Sequence, residues 1–284
     1  MNDIKELNDD LVTICITHYN RIERLKNTIS AIYRNTPNVF KIRIFNDGLL
    51  NNEIDKYLAE LEQRDEITVI RYSQNIGPVA ARNHLLEGIQ TPFTLTLDDD
   101  MYVDKEWFED ALKIFNENKE IGFVGFPFES TSDEDVANTR NIKITNGIIN
   151  VEKRNPNLNS IDSNYIVVDE VATGAMMIRS TAIEDFQFDS SYKIGFGDLD
   201  KTLQILNTKW KQVLVTDHCF THDKKKINSE YQKGGEYINI SNSYRHFSEK
   251  WGVRYPLKKH IMFKYIYRMY AKMPQSIRSI IQQL

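Results

Sequence analysis

Short apolar runs of strand length alternate with segments of helical periodicity along the first 100 residues. The predicted strands cover residues 11–17, 41–45, 67–72 and 93–97. After the first run, Ile22, Leu25 and Ile29 fall on one helical face, and the two segments that follow are also helical in pattern. Such alternation is typical of βαβ units. It predicts an α/β fold with a mostly parallel sheet and helices on both faces.

Polar side chains follow three of these predicted strands at the point where each strand ends. They belong to residues 17–20, 46–48 and 98–100. In open α/β sheets, ligands bind beyond the carboxyl ends of the strands. We therefore expect the three segments to line one crevice.

The second half of the chain is less regular. Predicted strands cover residues 121–128, 165–168, 175–178 and 212–215, and predicted helices begin at Trp107 and cover 199–206. The stretch 129–164 is polar, with eight asparagines between positions 138 and 164, and is interpreted as long loops or an irregular excursion. After residue 223 we expect a loop followed by helical stretches.

The charge of the chain is nearly balanced overall but unevenly distributed. There are 36 basic against 40 acidic residues, so bulk charge gives no case for a nucleic-acid partner. Residues 251–284 hold seven basic residues and no acidic one, which leaves 29 basic against 40 acidic upstream. This basic tail also carries aromatic residues. It is expected either to contact an anionic membrane surface or to pack against the acidic body or a second subunit.

The sequence predicts a cytoplasmic protein, with peripheral contact at the inner face of the membrane as an open alternative. No apolar run approaches the roughly 18–20 residues that a membrane span needs. The segment MNDIKELNDD lacks the regions of a signal peptide. Cys15 and Cys219 each sit in an apolar stretch, which favours buried thiols in a reducing compartment.

Three consecutive carboxylates, Asp98, Asp99 and Asp100, end the fourth predicted strand. Like charges this close raise one another's pKa unless a cation compensates them, and a divalent ion such as Mg²⁺ or Mn²⁺ would do so. A solvated acidic loop is the alternative. An EF-hand is a poor fit, because Val103 stands where that loop needs glycine. A strand-end aspartate phosphohydrolase would favour Thr or Val at position 102, where this chain has Tyr.

Four segments of the chain together resemble the nucleotide-sugar-binding half of family 2 glycosyltransferases. They are ITHYNR at 16–21, FNDG at 45–48, NIGPVAARN at 75–83 and LDDD at 97–100. The resemblance extends over about residues 10–223. It implies a GT-A fold, a Rossmann-like, mostly parallel sheet flanked by helices. The implied domain, 1–223, divides into a nucleotide-binding half (1–100) and an acceptor half (101–223), and 224–284 forms a flexible loop and a basic helical extension.

The resemblance also implies roles for residues in these segments. Thr17 and Tyr19 would line the nucleoside pocket with Tyr19 stacked on the base, Asp47 would accept a hydrogen bond from uracil, and Arg82 would lie beside the nucleotide. Asn20, Asn75, Asp98 and Asp99 complete the predicted donor contacts. Tyr19 as strand-end packing and Asp47 as part of a plain turn are the alternatives.

The predicted metal ligands are Asp98, Asp100 and His222, which would hold Mn²⁺ or Mg²⁺ on the donor diphosphate. Two departures leave open which of the three aspartates contacts the metal. Asn46 stands where family members often have an acid, and Met101 stands where they often have a fourth acid after the aspartates. His218 competes with His222 for the histidine position. Lysines 224, 225 and 226 are further candidates for contact with the diphosphate.

Asp198 is the predicted catalytic base, by its likeness to the acidic segment that precedes the family's catalytic helix. Gly197 stands where the family usually has Glu, so the prediction rests on Asp198, with Asp200 as the substitute. An acceptor hydroxyl needs a carboxylate within hydrogen-bond reach to take its proton. A plain helix N-cap is the alternative for Asp198. Residues 173–175 resemble the segment that lines the acceptor side.

The sequence thus predicts an inverting, metal-dependent glycosyltransferase. The donor would be a nucleoside-diphosphate sugar, with UDP favoured, and the acceptor a hydroxyl of a glycan or glycolipid in bacterial-type surface polysaccharide synthesis. Two rival hypotheses remain: a non-catalytic nucleotide-sugar-binding protein of the same fold, and a strand-end aspartate phosphohydrolase.

Overall fold

The computed structural model describes residues 10–48, 51–130, 139–154, 157–193, 195–223 and 233–256, together with residues 262, 266, 269–270 and 272–277. Strand and helix alternate in the first half as the sequence predicts. The elements are β1 (Val12–His18), α1 (Ile22–Asn35), β2 (Phe40–Asp47), α2 (Asn52–Leu61), β3 (Ile67–Tyr72), α3 (Pro78–Leu86) and β4 (Phe93–Asp98).

The second half contains more and shorter strands. Its strands are β5 (Met101–Tyr102), β6 (Ile121–Gly125), β7 (Phe128–Ser130), β8 (Thr139–Thr145), β9 (Ile148–Arg154), β10 (Tyr165–Val168), β11 (Glu170–Val171), β12 (Ala175–Arg179), β13 (Lys211–Val215) and β14 (Phe220–His222). Its helices are α4 (Trp107–Glu117), α5 (Gly197–Leu206) and α6 (Lys233–Trp251), with 3-10 turns at Leu158–Ser160 and Ser180–Asp185.

Eight strands form the central sheet in the order β10-β13-β6-β12-β4-β1-β2-β3. The four strands β4, β1, β2 and β3 are mutually parallel, and β12 lies antiparallel between β4 and β6. In register, Thr17 of β1 is paired with Asp98 of β4 and with Phe45 of β2. The polar strand ends therefore meet at one edge of the sheet, as the sequence predicts.

Apolar side chains cover both faces of this sheet. In β1, Ile14 and Ile16 face the core that includes α1, α2 and α4, whereas Cys15 faces the core that includes α3, α5 and α6. This two-sided burial explains why β1 is apolar without a polar alternation. Cys15 and Cys219 are both free thiols; Cys15 is buried as the sequence predicts, whereas Cys219 is partly exposed.

The interpretation of residues 129–164 as irregular loops is wrong for residues 139–154. Strands β8 and β9 form an antiparallel hairpin, and β11 pairs with β8. The two-residue turn that joins β8 and β9 is Asn146-Gly147, with φ of 50° and 70°. Asn and Gly tolerate this left-handed conformation, and such a turn matches the twist of a hairpin. Residues 129–130 belong to β7 and 157–164 hold the 3-10 turn at Leu158–Ser160, whereas 131–138 and 155–156 lie outside the described residues.

Helix α6 and the segment after it are anchored to the body. Asp200, only 1% exposed, accepts hydrogen bonds from Tyr192, Gln204, Lys250 and Trp251 at 2.7 to 3.2 Å. Farther on, the Arg254 N–H donates to Gly147 O at 2.9 Å. The start of the basic tail thus packs on the body, whereas most of 257–284 lies outside the described residues. No helix among the described residues is long and apolar enough to cross a membrane.

Replacing Asp200 by Asn is expected to lower the free energy of unfolding by about 2–3 kcal/mol, because hydrogen bonds to a buried charged group are worth about that much. The substitution keeps the shape of the side chain but removes the charge that pairs with Lys250. Urea denaturation measures the change. The matched control is Glu120→Gln, which breaks the exposed pair of Glu120 with Lys211 and should leave the midpoint unchanged. Equal midpoints for Asp200→Asn and wild type would contradict the anchoring role.

Candidate active site

Asp98 lies at the end of β4 between two polar partners. Its Oδ1 accepts a hydrogen bond from Thr17 Oγ1 at 3.1 Å and pairs with Arg82 Nη2 of α3 at 2.6 Å. About a third of the Asp98 side chain is exposed, at 35%. The structure therefore brings together three of the predicted donor-site residues and leaves a carboxylate surface at the crevice.

Gly174 allows the backbone before β12 to lie against Asp98. A Cβ at this position would stand 2.3 Å from Asp98 Oδ2 and 2.8 Å from Asp98 Cγ. Only glycine is compatible with this placement of the carboxylate. The predicted place of residues 173–175 on the acceptor side stays a prediction.

The substitution Gly174→Ala is expected to lower kcat/KM about ten- to hundredfold, because it displaces the Asp98 carboxylate, and small misplacements of reacting groups have effects of that size. The thermal midpoint should change little, since a side-chain terminus can move. Steady-state kinetics and calorimetry measure the two quantities. The double variant Gly174→Ala with Asp98→Asn should lose almost no more kcat/KM than Asp98→Asn alone. Additive losses would mean that Gly174 acts elsewhere.

Asp99 follows β4 directly and is fully buried. His18 Nδ1 lies 2.7 Å from its Oδ2, and the Arg21 guanidinium binds its other oxygen. Burial raises the pKa of the Asp99 carboxyl, and His18 and Arg21 oppose that effect. Asp99 presents no surface to the crevice, so this geometry gives no support to its predicted donor contact.

Asp100 is placed where it can serve as a metal ligand. Its Oδ2 pairs with Arg21 at 2.6 Å, while its Oδ1 faces His222 Nε2 at 3.7 Å. Burial alone would raise the pKa of Asp100, but His222, Arg21 and Arg24 outweigh it and hold the pKa below its usual value. The carboxyl is therefore ionised. The 3.7 Å gap between Asp100 Oδ1 and His222 Nε2 exceeds a hydrogen bond, so the two atoms face each other without bonding directly.

Arginines compensate the aspartate triplet in this structure. Arg82 pairs with Asp98, Arg21 with Asp99 and Asp100, and Arg24 Nη1 lies 3.4 Å from Asp100. Sequence reasoning assigned no role to Arg21 or Arg24, although their spacing at the start of α1 puts them on one helical face. Because these cations exist, charge repulsion alone does not require a metal. Within the described part of the chain, no group of three or more His, Cys, Asp or Glu has metal-site geometry.

The two candidate histidines lie in different places. His222, on β14, faces Asp100, and its Nδ1 is buried without a hydrogen-bond partner among the described residues. His218 Nε2 instead binds Asp110 of α4 at 2.6 Å. The geometry thus favours His222 over His218 as a ligand. Lysines 224, 225 and 226 lie outside the described residues.

The predicted nucleoside pocket contains an exposed aromatic ring. Tyr19 is 44% exposed and lies over Gly48, where a Cβ would stand 2.9 Å from its Cδ2. Asn20 adopts a left-handed conformation with φ of 52° and lies beside the same glycine. Tyr19 is thus partly exposed at the strand end, and its stacking on a base stays a prediction.

Asp47 anchors the loop that starts α3. Its two oxygens accept the Ile76 N–H at 2.6 Å and the Gly77 N–H at 2.8 Å. Burial raises the pKa of Asp47, and these N–H groups partly oppose that effect. The residue is thus more than a turn former, and its predicted contact with uracil stays a prediction. Asn75, at the exposed tip of the same loop, is also untested as a donor contact.

Asp198 lies in the first turn of α5 and accepts a hydrogen bond from Thr173 Oγ1. Phe196 occupies the N-cap position, so the interpretation of Asp198 as a helix cap is wrong. Burial alone would raise the pKa of Asp198, but Lys201, Arg82 and the Thr173 hydroxyl outweigh it and lower the pKa. Asp198 is therefore an ionised acceptor. Asp200, the substitute candidate, is occupied by its anchoring contacts to α6.

Two buried charged residues near Asp198 escaped the sequence reasoning. Lys201 is fully buried, and its Nζ donates to Val171 O at 2.7 Å. Glu170 is 3% exposed and pairs with Arg140 at 3.0 Å, and burial raises the pKa of Glu170 to about 7. Lys201 follows Asp198 by three residues on one helix face, a signal that could have been read. Glu170 and Arg140 meet across strands, and no local pattern reveals that pairing.

A cavity of about 300 Å³ opens at Asp198. Its lining is formed by Pro78, Val79, Arg82, Arg140, Lys193, Gly195, Phe196, Gly197, Asp198, Leu199 and Tyr255. Arg82 belongs both to this cavity and to the ion pair with Asp98. The strand-end carboxylates and Asp198 are therefore linked by one arginine, as two neighbouring parts of a single site.

Comparison with known proteins gives one family and several structural neighbours. The model of the family described as "Glycosyl transferase family 2" matches residues 13–186. An uncharacterized glycosyltransferase of Rickettsia conorii is 30% identical over 115 residues, which span 40% of this chain and 19% of that protein.

The structural neighbours cover nearly the whole chain. GalNAc-T7, solved with UDP, GalNAc and Mn²⁺, has a TM-score of 0.62 at 13% identity over 97% of this chain and 59% of its own. Residues 1–349 of S. aureus TarS have a TM-score of 0.58 at 14% identity over 95% of this chain and 85% of that one. A TarS complex with UDP-GlcNAc gives 0.56 at 13% identity, over 84% of this chain and 66% of that one. At these identities the likeness shows the fold alone.

Proposed function

The chain belongs to glycosyl transferase family 2 and has the GT-A fold that its sequence predicts, and from this premise we propose that it transfers a sugar from a nucleotide-sugar donor to an acceptor hydroxyl. One observation carries the proposal. Arg82 pairs with the strand-end Asp98 and also lines the cavity that contains Asp198. A donor held at the strand ends would thus lie next to a carboxylate that can receive a proton.

The proposed donor is a UDP-linked sugar. Tyr19 offers a partly open ring on which a base can stack, and Thr17, Asp98 and Arg82 offer polar groups beside it. Asp47 keeps further acceptor capacity after its two backbone contacts, because a carboxylate has about four lone-pair sites. The UDP in the GalNAc-T7 structure and the UDP-GlcNAc in the TarS structure support the same donor class.

Asp100 and His222 are the proposed ligands for Mn²⁺ or Mg²⁺, with Asp98 beside them. An ionised carboxylate and an imidazole form a suitable donor set for Mn²⁺, and the oxygens suit Mg²⁺. A divalent ion held by these residues would supply electrostatic stabilisation of the diphosphate leaving group. Arg21 and Arg24 hold Asp100 in place and add positive charge on the same side.

Asp198 is the proposed general base. It would take the proton of the acceptor hydroxyl while the oxygen attacks the anomeric carbon and the bond to the diphosphate breaks. A single displacement of this kind inverts the anomeric carbon. Thr173 orients the carboxylate by a hydrogen bond, and Lys201 keeps it ionised from the next turn of α5.

The absence of the family's usual Glu at position 197 does not argue against catalysis. A Cβ at Gly197 would lie 2.9 Å from Val79 Cγ2, so close packing of α5 on α3 explains the glycine. Asp198 still lines the cavity. This observation favours an enzyme over the non-catalytic rival.

Calorimetry with UDP, with and without Mn²⁺, tests the donor site. We expect metal-dependent UDP binding, followed by slow hydrolysis of one nucleotide sugar from a panel. UDP binding without any turnover would favour the non-catalytic rival. Phosphate release from p-nitrophenyl phosphate without UDP binding would favour the phosphohydrolase.

The acceptor is proposed to be a glycan or glycolipid of a bacterial-type surface polysaccharide, reached from the cytoplasm. The basic residues in 257–284 would then contact the anionic inner face of the membrane. A second subunit remains the alternative partner of this segment.

The full chain is expected to co-sediment with vesicles that contain anionic lipid, and a chain that ends at Pro256 is not. This end point keeps Trp251 and Arg254, which anchor the body. Neutral vesicles are the control. Sedimentation that is the same for both chains would exclude the tail as the membrane contact.

A further inference from the structure

The cavity at Asp198 is cationic although the protein is acidic. Three cationic side chains, Arg82, Arg140 and Lys193, line it against the single carboxylate of Asp198. The whole chain carries a net charge of -4. The lining is therefore richer in cations than the chain as a whole, and the carboxylates of Asp98 and Glu170 pair with two of these cations from outside the lining.

Arg140 is held in the cavity wall by a buried partner. It faces Glu170 in the register of β8 and β11, and its Nη1 lies 3.0 Å from Glu170 Oε1. Almost half of the Arg140 side chain is exposed, at 46%, whereas Glu170 is buried. A guanidinium has five N–H donors, so this contact orients Arg140 and leaves donors for a ligand.

Lys193 supplies a second cation that the fold does not use. Its side chain is exposed, and the described residues give it no ion pair. Its carbonyl oxygen would lie 3.4 Å from a Cβ at Gly77, so its backbone is close to the start of α3. Arg82 differs from both, because it is 8% exposed and paired with Asp98 on the donor side.

We propose that the acceptor carries an anionic group, a phosphate or a carboxylate, which Arg140 and Lys193 bind while a hydroxyl of the same molecule reaches Asp198. The proposal rests on the proposed function, because it takes Asp198 as the base. A neutral polyol or sugar would leave Lys193 without a counter-charge, and the N–H donors of Arg140 that Glu170 does not use would meet only neutral acceptors. An anionic acceptor supplies that charge and receives charge-assisted hydrogen bonds from the guanidinium.

Binding of matched charged and uncharged probes tests the proposal. UDP-saturated protein with Mg²⁺ is titrated with glycerol 3-phosphate and glycerol, and with glucuronate and glucose, at low ionic strength. At least one charged probe is expected to bind about ten- to hundredfold more tightly than its uncharged counterpart, as charge-assisted hydrogen bonds allow. The two pairs distinguish a phosphate site from a carboxylate site.

Arg140→Gln is expected to weaken binding of the charged probe by a similar factor. Lys193→Gln should weaken that binding less, and Arg140→Lys should give a loss of affinity between the two. Lys211→Gln, at an exposed pair on another surface, is the matched control. Because Lys193 is exposed, its variant tests the site even if a change at Arg140 disturbs the hairpin.

Equal binding of charged and uncharged probes would overturn the proposal, and so would Arg140→Gln and Lys193→Gln proteins that bind the charged probe normally. A parallel loss of UDP affinity in both variants would assign the two cations to the donor diphosphate instead. Failure of wild-type protein to bind UDP would contradict the proposed function separately. In that case the same titration without UDP still shows whether the cavity binds an anion.

Discussion

Replacement of Asp198 by Asn is expected to lower kcat by about 10²–10⁴-fold, because it removes the group that receives the acceptor proton. Asn keeps the shape of the side chain and can still accept the hydrogen bond from Thr173. UDP affinity should therefore stay close to that of the wild type. Single-turnover kinetics with the donor found in the panel, together with calorimetry, separates the chemical step from binding.

The pH dependence of wild-type activity gives a second test of Asp198. Burial raises the pKa of this carboxyl, but Lys201, Arg82 and Thr173 outweigh that effect and hold the pKa below its usual value. Protonation of Asp198 is therefore expected to lower kcat only at a more acidic pH than that of an ordinary aspartate would. Asp65→Asn, at an exposed aspartate, is the matched control and should leave kcat unchanged. An Asp198→Asn enzyme with near wild-type turnover would remove Asp198 from its role.

The parallel half of the fold was predictable because its signal is local. Each strand from β1 to β4 and each helix from α1 to α3 shows its own hydrophobic period within a few residues. The chain order of βαβ units then determines which strand ends meet. Thr17 and Asp98 were therefore expected in one crevice, and their hydrogen bond follows from strand register.

The hairpin at 139–154 shows how a local signal can be outweighed. Asn146-Gly147 is a strong hairpin turn, but the flanking strands are polar because much of the hairpin is exposed. The abundance of asparagine then favoured an irregular interpretation. For the same reason the sequence assigns no role to Arg140, which lies on β8 and lines the cavity.

Charge partners were the least predictable part of the site. Three acids in a row suggested a divalent ion, whereas arginines from α1 and α3 provide the compensation within the protein. Glu170 lies near Asp198 and Lys201 only because β11 and α5 pack together. Such pairings depend on tertiary geometry and leave no period in the sequence.

Removal of divalent ions is expected to lower sugar transfer by at least about 10²-fold, and added Mn²⁺ should restore it, because leaving-group stabilisation by a metal is worth several kcal/mol. His222→Asn should raise the Mn²⁺ concentration needed for half-maximal activity. His218→Asn is the matched control, since His218 binds Asp110 away from the aspartate triplet. Titration of Mn²⁺ followed by electron paramagnetic resonance in the presence of UDP measures binding without turnover.

The opposite result has an equally definite physical meaning. Arg21 and Arg24 already pair with Asp100 and place positive charge on the side of the proposed leaving group. If chelated enzyme kept full activity, these arginines would be sufficient to stabilise the diphosphate, and Arg24→Gln would then lower kcat where His222→Asn does not. If a metal is required, His222→Asn should lower activity more than Arg24→Gln does. The reason is that His222 faces Oδ1 of Asp100, whereas the arginines bind Oδ2. The two oxygens of Asp100 thus separate the two mechanisms.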